Sequence, residues 1–197
     1  MDDAPRNPWT RLSRRTAYQN PWITITEDQV LTPAGTPGLY AIISPNSVAV
    51  GALPVDAEGH TWLVGQWRYP LGRYSWEIPE GGASKEVPPH EEALRELREE
   101  TGLTAARWQE LLRLDLSNAL SDEGAVVFLA WDLTPGETDF DDTEALEIRR
   151  LPVAEAIAMA HDGRITDAIS VAALLRLEVL ALRGQLPEGF PCSGFDG

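Results

Sequence analysis

A single segment of this 197-residue chain constrains its structure more than any other, because it joins a glycine-rich turn to a sharply bounded helix. The segment, residues 81–103, reads GGASKEVPPHEEALRELREETGL. Proline is tolerated in the first turn of a helix and glycine favours its end, so the helix should begin near Pro89 or His90 and stop at Gly102. Three apolar residues recur on one side and should face a sheet: Ala93, Leu94 and Leu97.

The opposite side of this predicted helix is acidic. Residues three and four positions apart are neighbours on a helix, so Glu96, Glu99 and Glu100 share one side. Glu92 extends the stack, and like charges at this spacing destabilise an isolated helix by roughly 0.2–0.5 kcal/mol per pair. Such a surface is either solvated or used to hold a cation, and clustered carboxylate oxygens suit hard divalent ions such as Mg²⁺.

The run RELREETGL resembles the second half of the Nudix box, whose full pattern is G-x5-E-x7-R-E-U-x-E-E-x-G-U, with U aliphatic. The residues in register are Gly81, Arg95, Glu96, Leu97, Glu99, Glu100, Gly102 and Leu103. One position departs from the pattern, because Val87 stands where the first glutamate belongs and Glu86 lies one residue early. The alternative is a solvated acidic helix with ordinary Arg–Glu pairs, but the number of matched positions favours the box.

The resemblance extends over roughly residues 46–183, to the ADP-ribose pyrophosphatase branch of the family. A Gln-x-Arg element ending at Arg68 precedes the run EIPEG at 77–81, where Glu80 replaces the usual alanine. Loop 117–123 resembles a turn of that branch, and the acidic run DDTEALE at 141–147 resembles a late loop that supplies an extra carboxylate. The run GRITDA at 163–168 is also similar, but we interpret it as a helix start rather than a site.

This resemblance implies an α+β fold, an α/β/α sandwich in which a mixed central sheet is flanked by helices. Residues 46–186 would form the Nudix domain, and residues 187–197 a flexible tail. Residues 1–45 would form an arm and a small antiparallel β unit, through which members of the branch commonly dimerise. A homodimer is therefore expected.

Local patterns predict individual elements. Strands are expected at 22–26 and 29–32, separated by a turn at Glu27 and Asp28. The apolar runs 47–55 and 61–67, joined by DAEG, predict a β-hairpin. Further strands are expected at 107–115, 125–133 and 148–151 and a helix at 153–161, before a last helix that Thr166 caps.

The resemblance also implies site residues. Glu96 and Glu100 are the expected main metal ligands, Glu99 a further or water-mediated ligand, and the backbone carbonyl of Glu80 an additional one. The expected ion is Mg²⁺, with Mn²⁺ as an alternative. Arg95 is expected to position the carboxylates by ion pairing, although a plain helix pair with Glu99 would give the same geometry.

A general base must reach the attacking water, and Glu144 is the first candidate, with Asp142 and Glu147 as alternatives. The acidic loop that carries them could equally be solvated. Arg68 is expected to pair with a phosphate and Glu77 to accept from a base or a ribose hydroxyl. Tyr18 and Trp22 could stack on a nucleobase, or could instead belong to a core or interface. For both aromatic residues, the core or interface role is the better supported.

Composition narrows the class of protein. The net charge of −15 argues against nucleic acid as a partner, because phosphate binding depends on Lys and Arg patches. No run of about 18 apolar residues and no signal-peptide pattern is visible, and the single cysteine, Cys192, permits no internal disulfide. A cytoplasmic protein without a membrane partner is therefore expected.

The function that these expectations favour is metal-dependent hydrolysis of the pyrophosphate bond of a nucleoside diphosphate sugar. ADP-ribose, cleaved to AMP and ribose 5-phosphate, is the leading substrate, and GDP-sugars or other nucleoside diphosphate derivatives are the alternative. A catalytically inactive Nudix-fold binding module is the alternative from another class. Such modules usually lose glutamates of the box, and this chain retains Glu96, Glu99 and Glu100.

Overall fold

The computed structural model describes residues 6–138, 146–191 and 193, and the chain divides into two compact units. The smaller unit comprises Met1–Ser47 and Asp115–Gly124. The larger comprises Val48–Leu114 and Ala125–Gly197. In the described parts of the chain, no helix is long and apolar enough to cross a membrane.

The smaller unit is built on a three-stranded antiparallel sheet, as expected. Its strands, in spatial order, are β1 (Thr10–Gln19), β2 (Ile23–Leu31) and β3 (Pro37–Pro45). The turn predicted at Glu27 and Asp28 is wrong, because β2 runs through both residues. The reason is cross-strand charge pairing: Arg14 donates to both oxygens of Asp28 at 2.7 and 2.8 Å, and Arg15 pairs with Glu27.

The larger unit contains two sheets, three α-helices and a short 3₁₀ helix (Tyr69–Leu71) among its described residues. Its strands are β4 (Ser47–Pro54), β5 (His60–Arg68), β6 (Arg73–Glu77), β7 (Glu80–Ser84), β8 (Leu103–Asp115), β9 (Gly124–Pro135) and β10 (Glu147–Pro152). One sheet has the order β7-β4-β9-β8, with β4 and β9 parallel. The other has the order β10-β5-β6, antiparallel throughout. The helices are α1 (Pro89–Thr101), α2 (Val153–His161) and α3 (Ala168–Leu182).

The hairpin predicted between β4 and β5 is wrong, because these strands lie in different sheets. The turn itself is present: the Gly59 N–H donates to the Asp56 carbonyl at 3.0 Å, and Gly59 has a left-handed φ of 80°. A tight turn fixes where the chain reverses but not which strand pairs with which. Here β4 pairs with the distant β9, and β5 with β6 and β10.

The predicted bounds of α1 are confirmed. The helix starts at Pro89 and ends before Gly102, whose φ of 72° is the left-handed conformation that glycine tolerates best. Ala93 and Leu97 are fully buried among residues of the central sheet. Their neighbours are Val50, Ala83, Val126 and Phe128 for Ala93, and Ala52, Leu103 and Ala130 for Leu97. This packing fixes α1 against the sheet and leaves its acidic side free to contact β7.

The start of α3 requires one correction. Asp167, and not Thr166, caps the helix, because its carboxylate accepts from the Ser170 N–H at 2.7 Å. The Thr166 hydroxyl instead accepts from Arg73 at 3.0 Å. Ile169, Ala173 and Leu177 are buried, as the helical spacing predicts. After α3, Phe190 is also buried and packs edge-on against Trp131, with ring centroids 5.4 Å apart.

Candidate active site

The acidic side of α1 is organised by one arginine. The Nε of Arg95 donates to Glu92 at 3.0 Å, and its other nitrogens pair with Glu96 and Glu99. The hydrogen bond to Glu92, together with the charges of Glu96 and Glu99, raises the pKa of the Arg95 guanidinium. One cation therefore holds three carboxylates whose mutual repulsion would otherwise oppose the helix.

Glu100 turns away from this group towards the strand side. It is 4% exposed, and its Oε2 accepts from the backbone N–H of Glu80 at 3.0 Å. Glu96, one helical turn earlier, lies against Gly81: a Cβ on Gly81 would overlap the Glu96 carboxyl group. The two glutamates thus converge on the first two residues of β7, which explains why position 81 is glycine.

A second group of charges lies on the strand side. The Nε of Arg68 donates to both oxygens of Glu77 at 3.0 Å, and its Nη2 also bonds Glu77 and reaches Glu80 at 3.3 Å. Glu77 is 2% exposed. The hydrogen bond to Glu77 raises the pKa of Arg68, so this arginine stays charged and is held by buried carboxylates.

Glu80 carries an unusual carboxyl group. Burial raises its pKa well above the ordinary value of 4.5, and the nearby charges of Asp167 and Glu77 raise it further. Its Oε2 has no hydrogen-bond partner among the residues that the structure describes. Oxygens of Glu77, Glu80 and Asp167 all lie within 4.8 Å of one another. Arg68 therefore faces more negative charge than a single guanidinium can neutralise.

The predicted site residues fall into three groups. Seven are linked by contacts, five of them at β7 and two, Arg95 and Glu99, through the ion pairs of Arg95 with Glu96 and Glu99 on α1. The five at β7 are Arg68, Glu77, Glu80, Glu96 and Glu100. Glu144 and Asp142 lie outside the described residues, and Glu147 is exposed on β10, where it accepts from the Tyr74 hydroxyl at 3.1 Å. Tyr18 and Trp22 belong to the smaller unit, and Trp22 is 75% exposed.

Two further residues contact the same place and were not predicted as site residues. Asp167 joins the carboxylate group of Glu77 and Glu80, and the Ser170 hydroxyl accepts from the Ile78 N–H at 2.9 Å. Asp167 lies in the GRITDA run, and Ser170 follows it by two residues. The GRITDA run could have indicated these residues, but it was interpreted as a helix start and not as part of the site.

The donors near β7 fit a hard divalent cation. The carboxylates of Glu96 and Glu100 both reach the segment that starts at Glu80. The absence of a side chain at Gly81 leaves room for the Glu96 carboxylate. An all-oxygen donor set of this charge is the type that Mg²⁺ and Mn²⁺ prefer.

Comparison with known proteins gives consistent matches along the chain. Residues 9–43 match the family model for the nucleoside diphosphate sugar hydrolase N-terminal domain, and residues 45–174 match that for the NUDIX domain. An ADP-ribose pyrophosphatase of Mycobacterium tuberculosis is 34% identical, with 86% of this chain and 83% of the relative covered. One from Bacillus subtilis is 32% identical, with 88% and 95% covered.

Two other matches have different descriptions. A methanol dehydrogenase activator of Bacillus methanolicus is 30% identical, with 80% of this chain and 85% of the relative covered. A crystal structure described as an ADP compounds hydrolase has the same fold, with a TM-score of 0.81 at 23% identity. That match covers 93% of this chain and 100% of the other.

Proposed function

The chain belongs to the Nudix hydrolase family, and on that premise we propose that it hydrolyses the pyrophosphate bond of ADP-ribose, giving AMP and ribose 5-phosphate. Its similarity to ADP-ribose pyrophosphatases, together with the NUDIX match, makes it a Nudix pyrophosphatase. One observation supports the proposal most: Glu96 and Glu100 both meet the Glu80–Gly81 segment, where the glycine leaves room for a carboxylate.

We propose that Glu96, Glu100 and the Glu80 carbonyl hold Mg²⁺ or Mn²⁺, with Glu99 as a further ligand. A bound divalent cation supplies charge neutralisation at the pyrophosphate oxygens and a lowered pKa for water. Arg95 positions Glu96 and Glu99 through its ion pairs. Gly81 keeps the strand backbone close to the Glu96 carboxylate.

Arg68 is the proposed phosphate contact. Its Nε and Nη2 are used by Glu77 and Glu80, so the Nη1 group is the part that we assign to a substrate phosphate. Glu77 then acts mainly by holding the Arg68 guanidinium in place. A contact with a ribose hydroxyl is its second proposed role. For Trp22, stacking on a nucleobase stays a prediction, and an interface role is the better supported one for this exposed side chain.

Glu144 is the proposed general base, with Asp142 and Glu147 as alternatives. A base that takes the proton of the attacking water contributes about 10²–10⁴-fold to the rate. Glu144→Gln should therefore lower kcat by at least about 10²-fold with little change in KM, and Glu147→Gln should leave both constants near native values. The reverse pattern would transfer the role to Glu147.

The direct test combines a substrate panel with matched glutamate variants. With Mg²⁺ present, ADP-ribose should be hydrolysed faster than GDP-sugars and other nucleoside diphosphate compounds, and chelation by EDTA should stop turnover. Glu100→Gln should lower kcat/KM by about 10²-fold or more, because charge stabilisation by a held metal is worth several kcal/mol. Glu86→Gln, which changes the exposed glutamate outside the register, is the control and should match the native rate.

Two results would overturn this function. Turnover of none of the panel compounds would exclude the hydrolase assignment for these substrates. Equal rates for Glu100→Gln and the native protein would exclude Glu100 as a metal ligand. A faster reaction with a GDP-sugar would keep the reaction class and change the substrate.

A further inference from the structure

A short turn, Ile78–Glu80, connects β6 with β7, whose first residue is Glu80, and is held from three directions. Three hydrogen bonds to its backbone come from different elements: the Ile78 N–H donates to the Ser170 hydroxyl at 2.9 Å, the Pro79 carbonyl accepts from the Ala52 N–H at 2.9 Å, and the Glu80 N–H donates to the Glu100 carboxylate at 3.0 Å. The partners belong to α3, β4 and α1. The turn that offers the Glu80 carbonyl is therefore fixed between two helices and a strand.

The bond from α3 differs from the other two because a side-chain hydroxyl outside the Nudix box provides it. Ser170 is fully buried, and its partner Ile78 is fully buried as well. Asp167 fixes the serine in turn, since its carboxylate accepts from the Ser170 N–H at 2.7 Å. A capped helix end thus presents one hydroxyl at a defined position against the turn.

Removing that hydroxyl would leave the Ile78 N–H buried without its acceptor. A buried donor without a partner carries a free-energy cost, and this cost favours a shift of the local backbone towards another acceptor. The Glu80 carbonyl lies two residues further on, and Glu100 is bonded to the same residue. A shift of the turn would therefore change the spacing between the Glu80 carbonyl and the carboxylates of α1.

We propose that Ser170 is a positioning residue for the metal site. Its hydroxyl holds the Ile78–Glu80 turn where the Glu80 carbonyl can share one divalent cation with Glu96 and Glu100. This inference rests on the proposed function, which assigns those ligands. It adds to the site a residue from the last helix of the larger unit, 70 positions after Glu100.

The test compares Ser170→Ala with Ala173→Gly, using Mn²⁺ alone as the probe. Ala173 is fully buried one turn further along α3, so its replacement by glycine weakens the helix without touching the Ile78 bond. Mn²⁺ affinity is measured by calorimetry on the full chain without substrate. Loss of an outer partner of a metal ligand typically lowers affinity 10–100-fold, so we expect Ser170→Ala to bind Mn²⁺ about 10-fold more weakly.

The control should behave differently from the test variant. Ala173→Gly should lower the melting temperature and keep Mn²⁺ affinity within about twofold of native, since the turn is intact. With ADP-ribose, Ser170→Ala should recover most of its rate when Mn²⁺ is raised about tenfold, with KM unchanged. A purely structural role would not give recovery by metal.

Each remaining outcome decides one of the two proposals. The positioning role is overturned if Ser170→Ala and the native protein bind Mn²⁺ with equal affinity. It is also overturned if Ala173→Gly weakens Mn²⁺ binding as much as Ser170→Ala does, or if the native chain shows no measurable Mn²⁺ binding. Failure of the native protein to hydrolyse ADP-ribose, with the expected affinity difference intact, overturns the substrate and leaves the positioning role standing.

Discussion

At the scale of single residues, Gly81 is as important to the site as the glutamates. The Glu96 carboxyl group occupies the position that a Cβ on this residue would take. Gly81→Ala should therefore displace Glu96 and lower kcat/KM by about 10²-fold, as expected for a lost metal ligand. The melting temperature should change little, because Glu96 can move towards solvent.

Gly82→Ala is the matched control for that variant. Gly82 is the next residue of β7 and is exposed, and successive residues of a strand face opposite sides. Kinetics with ADP-ribose and Mg²⁺ should separate the two variants. A rate loss of the same size for Gly82→Ala would show that strand flexibility, and not the position of Glu96, is responsible.

Glu80 gives a second prediction at this scale, for pH. Its carboxyl pKa is raised above 4.5, mainly by burial, so above pH 4.5 the folded chain retains a proton that the unfolded chain has released. This group's contribution to stability is present below pH 4.5 and is lost as pH rises through the folded pKa. Glu80→Gln cannot titrate and avoids that loss.

The melting temperatures of native protein and Glu80→Gln, measured in metal-free buffer, should therefore diverge with pH. The variant should gain a few degrees relative to native by pH 8, since about 1 kcal/mol shifts a domain of this size by roughly 2–4 °C. Near pH 4 the difference should be small. A difference that does not depend on pH would contradict the raised pKa, and Glu86→Gln should show none.

At the scale of elements, the end of α1 is sensitive to substitution. Gly102 has a φ of 72°, and a Cβ there would press on the Gly136 carbonyl. Gly163, just after α2, has a similar φ of 81° and open space around it. Gly163→Ala should lower the free energy of unfolding by about 1–2 kcal/mol, the cost of the left-handed conformation alone.

Gly102→Ala should lower the free energy of unfolding by the same cost of the left-handed conformation, about 1–2 kcal/mol. Overpacking against the Gly136 carbonyl should lower it by roughly 1–3 kcal/mol more. Urea denaturation of both variants measures the difference. Equal losses would mean that the loop at Gly136 moves aside easily.

The elements also show what could be predicted from the sequence. The bounds of α1 and α2 could be predicted because the features that indicate them are local. These features are proline and glycine at the ends of each helix and apolar residues at helical spacing between them. The pairing of β4 was not, because its partner β9 is far away in the chain. The prediction divided β2 into two strands for a related reason. Glu27 and Asp28 are typical turn residues, and the sequence does not show that Arg14 and Arg15 lie opposite them on β1.

The site divides in the same way. The glutamates of α1 are recognisable because helical spacing places them together within one segment. Ser170 was not recognisable, since its bond to Ile78 spans 92 positions and a buried serine in a helix has no sequence pattern of its own.

At the scale of the whole molecule, the expected homodimer remains a proposal, supported by the surface of the smaller unit. All of β1 is exposed, including its two large hydrophobic side chains, Leu12 and Tyr18. Leu12, on this edge strand, is 59% exposed. Edge strands that expose apolar residues favour pairing with another chain.

Light scattering should therefore give twice the chain mass of 21.7 kDa for the native protein. Leu12→Glu should reduce the mass towards that of one chain, because it places a charge in the proposed contact. Leu182→Glu, at an 80% exposed position at the end of α3, should leave the mass unchanged. A single-chain mass for the native protein would exclude the dimer at that concentration.

The parallel pairing of β4 and β9 also governs the order in which the molecule can be assembled. Strand β9 supplies Val126, Phe128 and Ala130 to the surface that buries Ala93 and Leu97 of α1. During synthesis the helix is made before that strand exists, so its apolar side has only part of its packing surface. Pairing between segments so distant in sequence is slow to form. The apolar side of α1 therefore completes its packing late, when β9 joins β4, whereas the contact of its carboxylates with β7 joins segments that are close in sequence.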